Sequence, residues 1–321
     1  MYPLRIGTRS SLLATAQTAQ VQKTMRDVFL LDTQQVLIQT GSVRRRDGSF
    51  VAALRTALLE GECDLAVHSL KDIPIAPHEG TLITAVLPRE DPCDVLCARK
   101  DLTLTTLPSG AKVGTASARR RAQILNFRPD LDVVSLRGNI DKRLIHLDTL
   151  DAIVLSAAGL KRIDREDAIT ESFDIHDWPT AAGQGSLAIE VCRAQLDDPQ
   201  NRVAVTYRLD NPMARVTTTA ERGVLSLLQA DCFSPIAVHA VYTANDKSLR
   251  LHAKVFSRDG KIFCESIRFA RLVKQLTDTN QNHTKNSGSD DIGNALEVAM
   301  TLAKTVVDEL LSKNAREILK Q

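Results

Sequence analysis

The run His68-Ser69-Leu70-Lys71-Asp72-Ile73-Pro74 follows directly on the apolar stretch Leu65-Ala66-Val67, so a strand delivers several polar groups to one sheet edge. A carboxylate kept ionised beside Lys71 or an arginine stabilises a developing cation or relays protons, which makes Asp72 the candidate catalytic group. The same spacing suits a loop aspartate that accepts backbone hydrogen bonds before Pro74, and the residues alone weigh the two readings evenly. Cys232 stands in Ala230-Asp231-Cys232-Phe233-Ser234-Pro235, between a helical and a strand-like stretch. A loop thiol facing a basic cleft can act as a thiolate nucleophile or attachment point, although most reduced thiols are small packed residues.

Arginines gather at element boundaries: Arg9 after the first strand, Arg119 and Arg120 at a helix start, Arg137 after a strand, Arg143 one turn into a helix, and Arg162 after the segment 152–160. Ligands of open α/β sheets bind beyond the carboxyl ends of strands, where guanidinium groups grip carboxylates or phosphates bidentately. The pattern predicts a polyanionic ligand, while any one of these arginines is equally well a solvated surface residue. Gly114-Thr115-Ala116-Ser117 resembles an anion-binding strand-to-helix turn and is not a Walker A motif. Gly183-Gln184-Gly185 reads as a tight turn or hinge where the chain recrosses between units.

These residues need a scaffold, and the first two thirds of the chain supply one by alternating short β-like runs with amphipathic helices. Strands are expected at 4–8, 36–40, 64–68, 82–87 and 95–98, with helices at 11–28 and 49–60. A second unit opens near Pro108 with strands at 112–114, 132–136 and 152–155 and helices at 118–127 and 139–147. Alternation of this kind predicts mainly parallel sheets flanked by helices, in two units with a cleft between them. After Pro212 a helix (213–228), three β-like runs (236–242, 249–256, 261–269), a polar stretch (277–290) and a closing helix (295–311) describe a small α+β domain. The expected division is 1–88 with 188–208, then 93–182, then 212–321.

The 321 residues suffice for two or three cores. With 41 basic and 39 acidic residues the net charge is +2, which gives no bulk attraction for nucleic acid or an anionic membrane. The basic run Arg44-Arg45-Arg46 has few aromatics around it, so nucleic-acid binding is a weak third reading. No basic segment with a long apolar run stands at the N-terminus and no window of eighteen apolar residues occurs, so a cytoplasmic protein without membrane contact is expected. The six cysteines form no CxxC pair and are expected to be reduced thiols; no metal site is expected.

Taken together, the motifs resemble one family. Ile6-Gly7-Thr8-Arg9-Ser10-Ser11-Leu12-Leu13-Ala14, His68 to Pro74, Arg89-Glu90-Asp91-Pro92 and Gly114 to Arg120 occur in the order seen in porphobilinogen deaminases. So do Ser135-Leu136-Arg137-Gly138-Asn139, Ala157-Ala158-Gly159-Leu160-Lys161-Arg162, Ala182-Gly183-Gln184-Gly185, Thr219-Ala220-Glu221-Arg222 and the Cys232 loop. The resemblance covers residues 4–243 and returns in 315–319. It implies three domains, the first two like periplasmic binding proteins, and a dipyrromethane cofactor held by a thioether to Cys232. It also implies head-to-tail joining of four porphobilinogen molecules, with loss of ammonia from each and hydrolytic release of hydroxymethylbilane.

Carried over residue by residue, the resemblance assigns catalysis to Asp72, which would hold the pyrrole N–H groups and face the cation formed when ammonia leaves. Cofactor binding falls to Cys232, Lys71, Ser69, Thr115, Ser117, Arg119, Arg120, Arg137 and Asn139. Substrate binding falls to Arg9, Ser11, Phe50, Arg143 and Arg162. The enzyme is expected to be a monomer, with hand-off of product to a uroporphyrinogen-III synthase left open. Two departures stand out. The connection 41–49 is shorter than the family's active-site loop, with Asp47 where a lysine is expected, and Asp231 replaces a glycine beside the cysteine. The rival class is therefore a catalytically impaired or regulatory anion-binding paralogue; a mere binder needs neither Asp72 nor Cys232.

Overall fold

The computed structural model describes residues 2–39, 49–198, 202–231, 233–276 and 288–321. Strand β1 (Leu4–Thr8) leads into helix α1 (Leu12–Phe29), which starts where the Ser11 hydroxyl accepts the Ala14 amide at 3.3 Å. Then come β2 (Thr33–Leu37), α2 (Ser49–Leu59), β3 (Leu65–Ser69) and β4 (Thr81–Val86). A second series runs β5 (Asp94–Ala98), β6 (Lys112–Gly114), α3 (Ala118–Phe127), β7 (Asp132–Val134), α4 (Ile140–Ile145), β8 (Ala152–Ser156), α5 (Ala157–Lys161) and β9 (Glu171–Ser172). The chain then returns through β10 (Leu187–Cys192) to the first sheet.

The strand orders are β2-β1-β3-β10-β4 and β7-β6-β8-β5-β9. β1 is parallel to β2 and β3, and β6 is parallel to β7 and β8, each pair joined by a crossover that contains a helix. The strands that carry the chain from one unit to the other run the opposite way: β10 is antiparallel to β3 and β4, and β5 to β8 and β9. The α/β architecture expected from the alternation is present, with each sheet parallel on one side and antiparallel where the chain crosses over.

The third unit contains α6 (Pro212–Leu227), the antiparallel meander β11 (Ile236–Thr243), β12 (Ser248–Phe256) and β13 (Phe263–Arg271), then α7 (Gly288–Ser312) and α8 (Ala315–Lys320). Val216 and Val224 of α6, Leu251 and Val255 of β12, and Ala299 and Val306 of α7 meet in one buried cluster. Among the boundaries that differ from the sequence reading, two have a clear cause. β2 begins at Thr33 rather than Val36, because an edge strand needs no apolar pattern to pair with β1 in register Leu4↔Thr33 to Thr8↔Leu37. α7 begins at Gly288 rather than Ala295; a polar first turn carries no apolar periodicity, and Asp291 within it pairs with Lys274 at 2.6 Å.

The third unit docks on both others. Gly260, at φ +73°, lies so close to α3 that a Cβ there would stand 2.3 Å from the Ala122 carbonyl oxygen, and its own carbonyl accepts from Asn126 at 2.9 Å. Lys254 Nζ donates to the Asp177 carbonyl at 3.0 Å, and Arg89 pairs with buried Glu221 of α6 at 2.6 Å. No helix among the described residues is long and apolar enough to cross a membrane.

Candidate active site

β3 ends at Ser69 and turns at once through a single helical turn, Leu70–Asp72. The turn is pinned from two sides: the Leu70 amide donates to the Ser186 carbonyl at 3.0 Å, and Arg222 of α6 donates to the carbonyls of Ile73 (3.0 Å) and Pro74 (2.8 Å). Asp72 is exposed, and among the described residues its carboxylate accepts no hydrogen bond. The backbone-capping reading of this aspartate therefore finds no support in the geometry. Ser69 Oγ accepts from Gln17 of α1 at 2.9 Å.

Lys71 points the other way, donating from Nζ to Gln184 Oε1 at 3.1 Å. Burial pushes its ammonium down to about 8, and the Arg120 guanidinium pushes in the same direction against Asp72 and Asp94. Gln184 sits on a turn that only glycines complete. Gly183 and Gly185 have φ of +76° and +92°, and a Cβ at Gly185 would lie 2.3 Å from the Glu90 carbonyl oxygen. Glu221 accepts the Gly183 amide at 2.7 Å. So held, Gln184 joins the first two units: its Nε2 donates to Asp94 Oδ1 (2.8 Å) and the Pro92 carbonyl (2.7 Å), and its Oε1 also accepts from Arg120 at 3.4 Å.

In the second unit Ser117 caps α3, its Oγ accepting the Arg120 amide at 3.4 Å while its own amide donates to Thr115 Oγ1 at 3.2 Å. Arg119 and Arg120 follow, only 4% and 6% exposed. Both grip Asp94, Arg119 Nη1 at 2.6 Å from Oδ2 and Arg120 Nη2 at 2.7 Å from Oδ1, and they also donate to the carbonyls of Pro179 and Val154. Burial acts to raise the Asp94 carboxyl, and the two guanidinium groups outweigh it, holding it far below the ordinary carboxylate range. Two cations against one anion leave a positive charge over, and Arg119 Nε is buried without a partner.

Two further cations, Arg143 and Arg162, reach this region. Arg143 Nε donates to the Gly138 carbonyl at 2.7 Å; burial lowers its guanidinium, Arg120 adds to that, and Asp72 opposes it. Arg162 Nη2 donates to the Gly185 carbonyl at 2.7 Å, and its Nε is buried without a partner. Arg9 reaches Ser11 Oγ at 3.4 Å and lies over the Phe50 ring at 4.4 Å, a cation–π contact. Arg137 and Asn139 are exposed, with no side-chain hydrogen bond among the described residues. Cys232 and the 41–48 stretch with Arg44, Arg45, Arg46 and Asp47 lie outside the described residues. Beside the cysteine, Asp231 Oδ1 accepts from the Phe233 amide (3.0 Å) and Ser234 Oγ (2.8 Å).

Lys71, Asp72, Arg119, Arg120 and Arg143 thus form one electrostatically coupled set, with Arg9, Ser11 and Phe50 a second cluster on the first unit. Sequence reasoning missed Asp94, Gln17 and the bridging role of Gln184. Asp94 had one faint signal, a lone acid opening the apolar run Val95-Leu96-Cys97.

Two family models match the chain: "porphobilinogen deaminase, dipyromethane cofactor binding domain" over residues 4–200, and "porphobilinogen deaminase, C-terminal domain" over residues 216–311. The porphobilinogen deaminase of Leifsonia xyli is 40% identical over 328 residues, covering 98% of this chain and 94% of the relative. That of Thermobifida fusca is 38% identical, covering 99% and 96%. A periplasmic substrate-binding protein of an ABC transporter from Coxiella burnetii aligns with 64% of this chain and 91% of its own at 13% identity, TM-score 0.41.

Proposed function

The chain belongs to the porphobilinogen deaminase family, and on that premise we propose that Asp72 is its catalytic carboxylate and that the cations around it bind the acetate and propionate groups of the pyrroles. The enzyme deaminates porphobilinogen and joins four molecules head to tail on a covalent dipyrromethane primer, releasing hydroxymethylbilane for tetrapyrrole biosynthesis. The observation that carries the site assignment is the excess of cations, Lys71, Arg119, Arg120 and Arg143, over Asp72 and Asp94 in one coupled set. Such an excess, with Arg119 Nε unpartnered, suits an acidic oligopyrrole. No observation favours the anion-binding paralogue.

When bound, the dipyrromethane supplies the pyrrole on which the chain is extended. Lys71, Arg119, Arg120, Ser117, Thr115, Ser69, Arg137 and Asn139 would hold its carboxylates, with Cys232 as tether. Arg9, Ser11, Phe50, Arg143 and Arg162 would hold the incoming porphobilinogen. Asp72, free of competing hydrogen bonds among the described residues, faces the positive charge that develops as ammonia departs and accepts the pyrrole N–H groups. The domain division 1–88 with 188–208, 93–182 and 212–321 accords with the return of β10 to the first sheet. We place the enzyme in the cytoplasm as a monomer that can pass its product to a uroporphyrinogen-III synthase; the free thiols of Cys63, Cys93, Cys97, Cys192 and Cys264 suit a reducing compartment.

Intact mass tests the tether. The purified protein should exceed its sequence mass by two pyrrole units, and Cys232→Ser should lack the excess. Protein that stays at bare polypeptide mass after exposure to porphobilinogen, with that thiol free, overturns the reading.

The Lys71 ammonium gives a pH dependence. It loses its proton as pH rises through about 8, so its hold on a cofactor carboxylate weakens there and turnover of porphobilinogen should fall. Folding responds with the opposite sign: the unfolded lysine keeps its proton up to about pH 10.4, so from about 8 upward this residue's contribution to stability rises. Lys71→Arg stays charged throughout, and its turnover should remain flat across the same range. Wild-type turnover that does not fall between neutral pH and about pH 9 counts against Lys71 as a carboxylate ligand.

A further inference from the structure

Glu190, on β10, is the most enclosed carboxylate of the first sheet at 1% exposure, and no part of the cleft chemistry calls on it. It sits at a register shift in β10, opposite Ala66 of β3 on one side and Ile83 of β4 on the other. Three elements converge on it. Arg55 Nε of α2 donates to Oε1 at 2.8 Å, Thr81 Oγ1 at the start of β4 donates to the same oxygen at 2.5 Å, and His68 Nε2 of β3 stands 3.0 Å from Oε2. Burial alone would raise this carboxyl; His68, Thr81 and Arg55 together bring it down to about 2, so it is an anion at neutral pH.

Two of these partners lead toward the candidate site. His68 is followed immediately by Ser69 and the turn that bears Lys71 and Asp72. Arg55 lies on the same helix as Phe50, whose ring meets the Arg9 guanidinium. The apolar face of α2 packs through Leu54, Ala57 and Leu58, a non-directional contact to which a charged hydrogen bond adds a fixed point. Arg55 to Glu190 is such a bond, and its side chain is 11% exposed, so solvent screens it little.

We infer that Glu190 is a positioning residue: its carboxylate ties helix α2, which presents Phe50 to Arg9, to strand β3, whose end carries Lys71 and Asp72, so that the substrate-binding wall and the catalytic turn keep one geometry. The inference rests on the proposed roles of Asp72, Arg9 and Phe50. Loss of the tie displaces the wall without touching the catalytic carboxylate, so the effect falls on substrate binding.

The test uses the full-length, cofactor-loaded enzyme. Arg55→Met keeps the apolar stem and removes the directional bond; it should raise the KM for porphobilinogen about tenfold with kcat within about twofold of wild type. Glu190→Gln should shift KM the same way, and Arg55→Lys, which restores a cation, should return KM to within about threefold of wild type. A residue that only stabilises the fold would lower the folded fraction, and hence apparent kcat, at unchanged KM. Should Glu190→Gln fail to fold, Arg55→Met decides alone. An unchanged KM in folded Arg55→Met, or an Arg55→Lys variant as impaired as Arg55→Met, overturns the inference. Asp72→Asn assayed alongside separates the two claims: turnover lost there with KM unmoved in Arg55→Met sinks only the positioning role, and turnover retained in Asp72→Asn sinks the catalytic assignment beneath it.

Discussion

Asp72→Asn should lower porphobilinogen turnover by about a hundred- to a thousandfold, the usual cost of removing one preorganised group that faces developing charge. The loss should fall on kcat, since the carboxylate is assigned to a charge that exists only as ammonia leaves. The amide is isosteric, and the replaced carboxylate is exposed and accepts no hydrogen bond among the described residues, so the melting temperature should stay where it is. A second readout follows from the same substitution. Asp72 opposes the fall of both Lys71 and Arg143, so its neutralisation should move the alkaline limit of turnover to lower pH. Unchanged turnover in a folded variant would refute the catalytic role.

The largest loss of stability should come from Asp94→Asn. The substitution leaves two guanidinium groups buried without their anion, which costs about 3–5 kcal/mol. For a unit of this size that is a drop in melting temperature of roughly 12–40 °C, readable by calorimetry. Mild acid should not mimic it. Because Asp94 is held far below the usual carboxylate range, its stabilisation is fully present above the unfolded-state value and is lost progressively as pH falls from there through the depressed folded one. If Arg119 and Arg120 also serve the cofactor's carboxylates, the bound cofactor partly replaces the missing anion. The destabilisation should then be larger in a Cys232→Ser background than in the loaded enzyme, a coupling that a double-mutant cycle measures. Equal losses in the two backgrounds would show that these arginines serve only Asp94.

Several elements could be read from the chain alone because their causes are local. Ser11 and Ser117 cap α1 and α3 where each helix was expected, and α3 runs from Ala118 to Phe127 as its periodicity requires. The turn after β3 that exposes Asp72 follows from an apolar run meeting polar residues and Pro74. The starts of β2 and α7 escaped, since an edge strand and a polar first helical turn carry no apolar signal.

The charge pattern of the candidate site needed the folded chain. Residue types marked Arg119 and Arg120 as cations at a helix start, but only the sheet order brings Asp94 against them across 25 residues of sequence. Gln184 reaches Lys71 across 113 residues, and Glu190 reaches Arg55 across 135. The physical reason is one of range. Hydrophobic period, capping and turn preference act over a few residues and leave their mark in order along the chain. The partner of a buried charge is chosen by which strands lie side by side, and a charge out of water must take whichever partner the topology supplies.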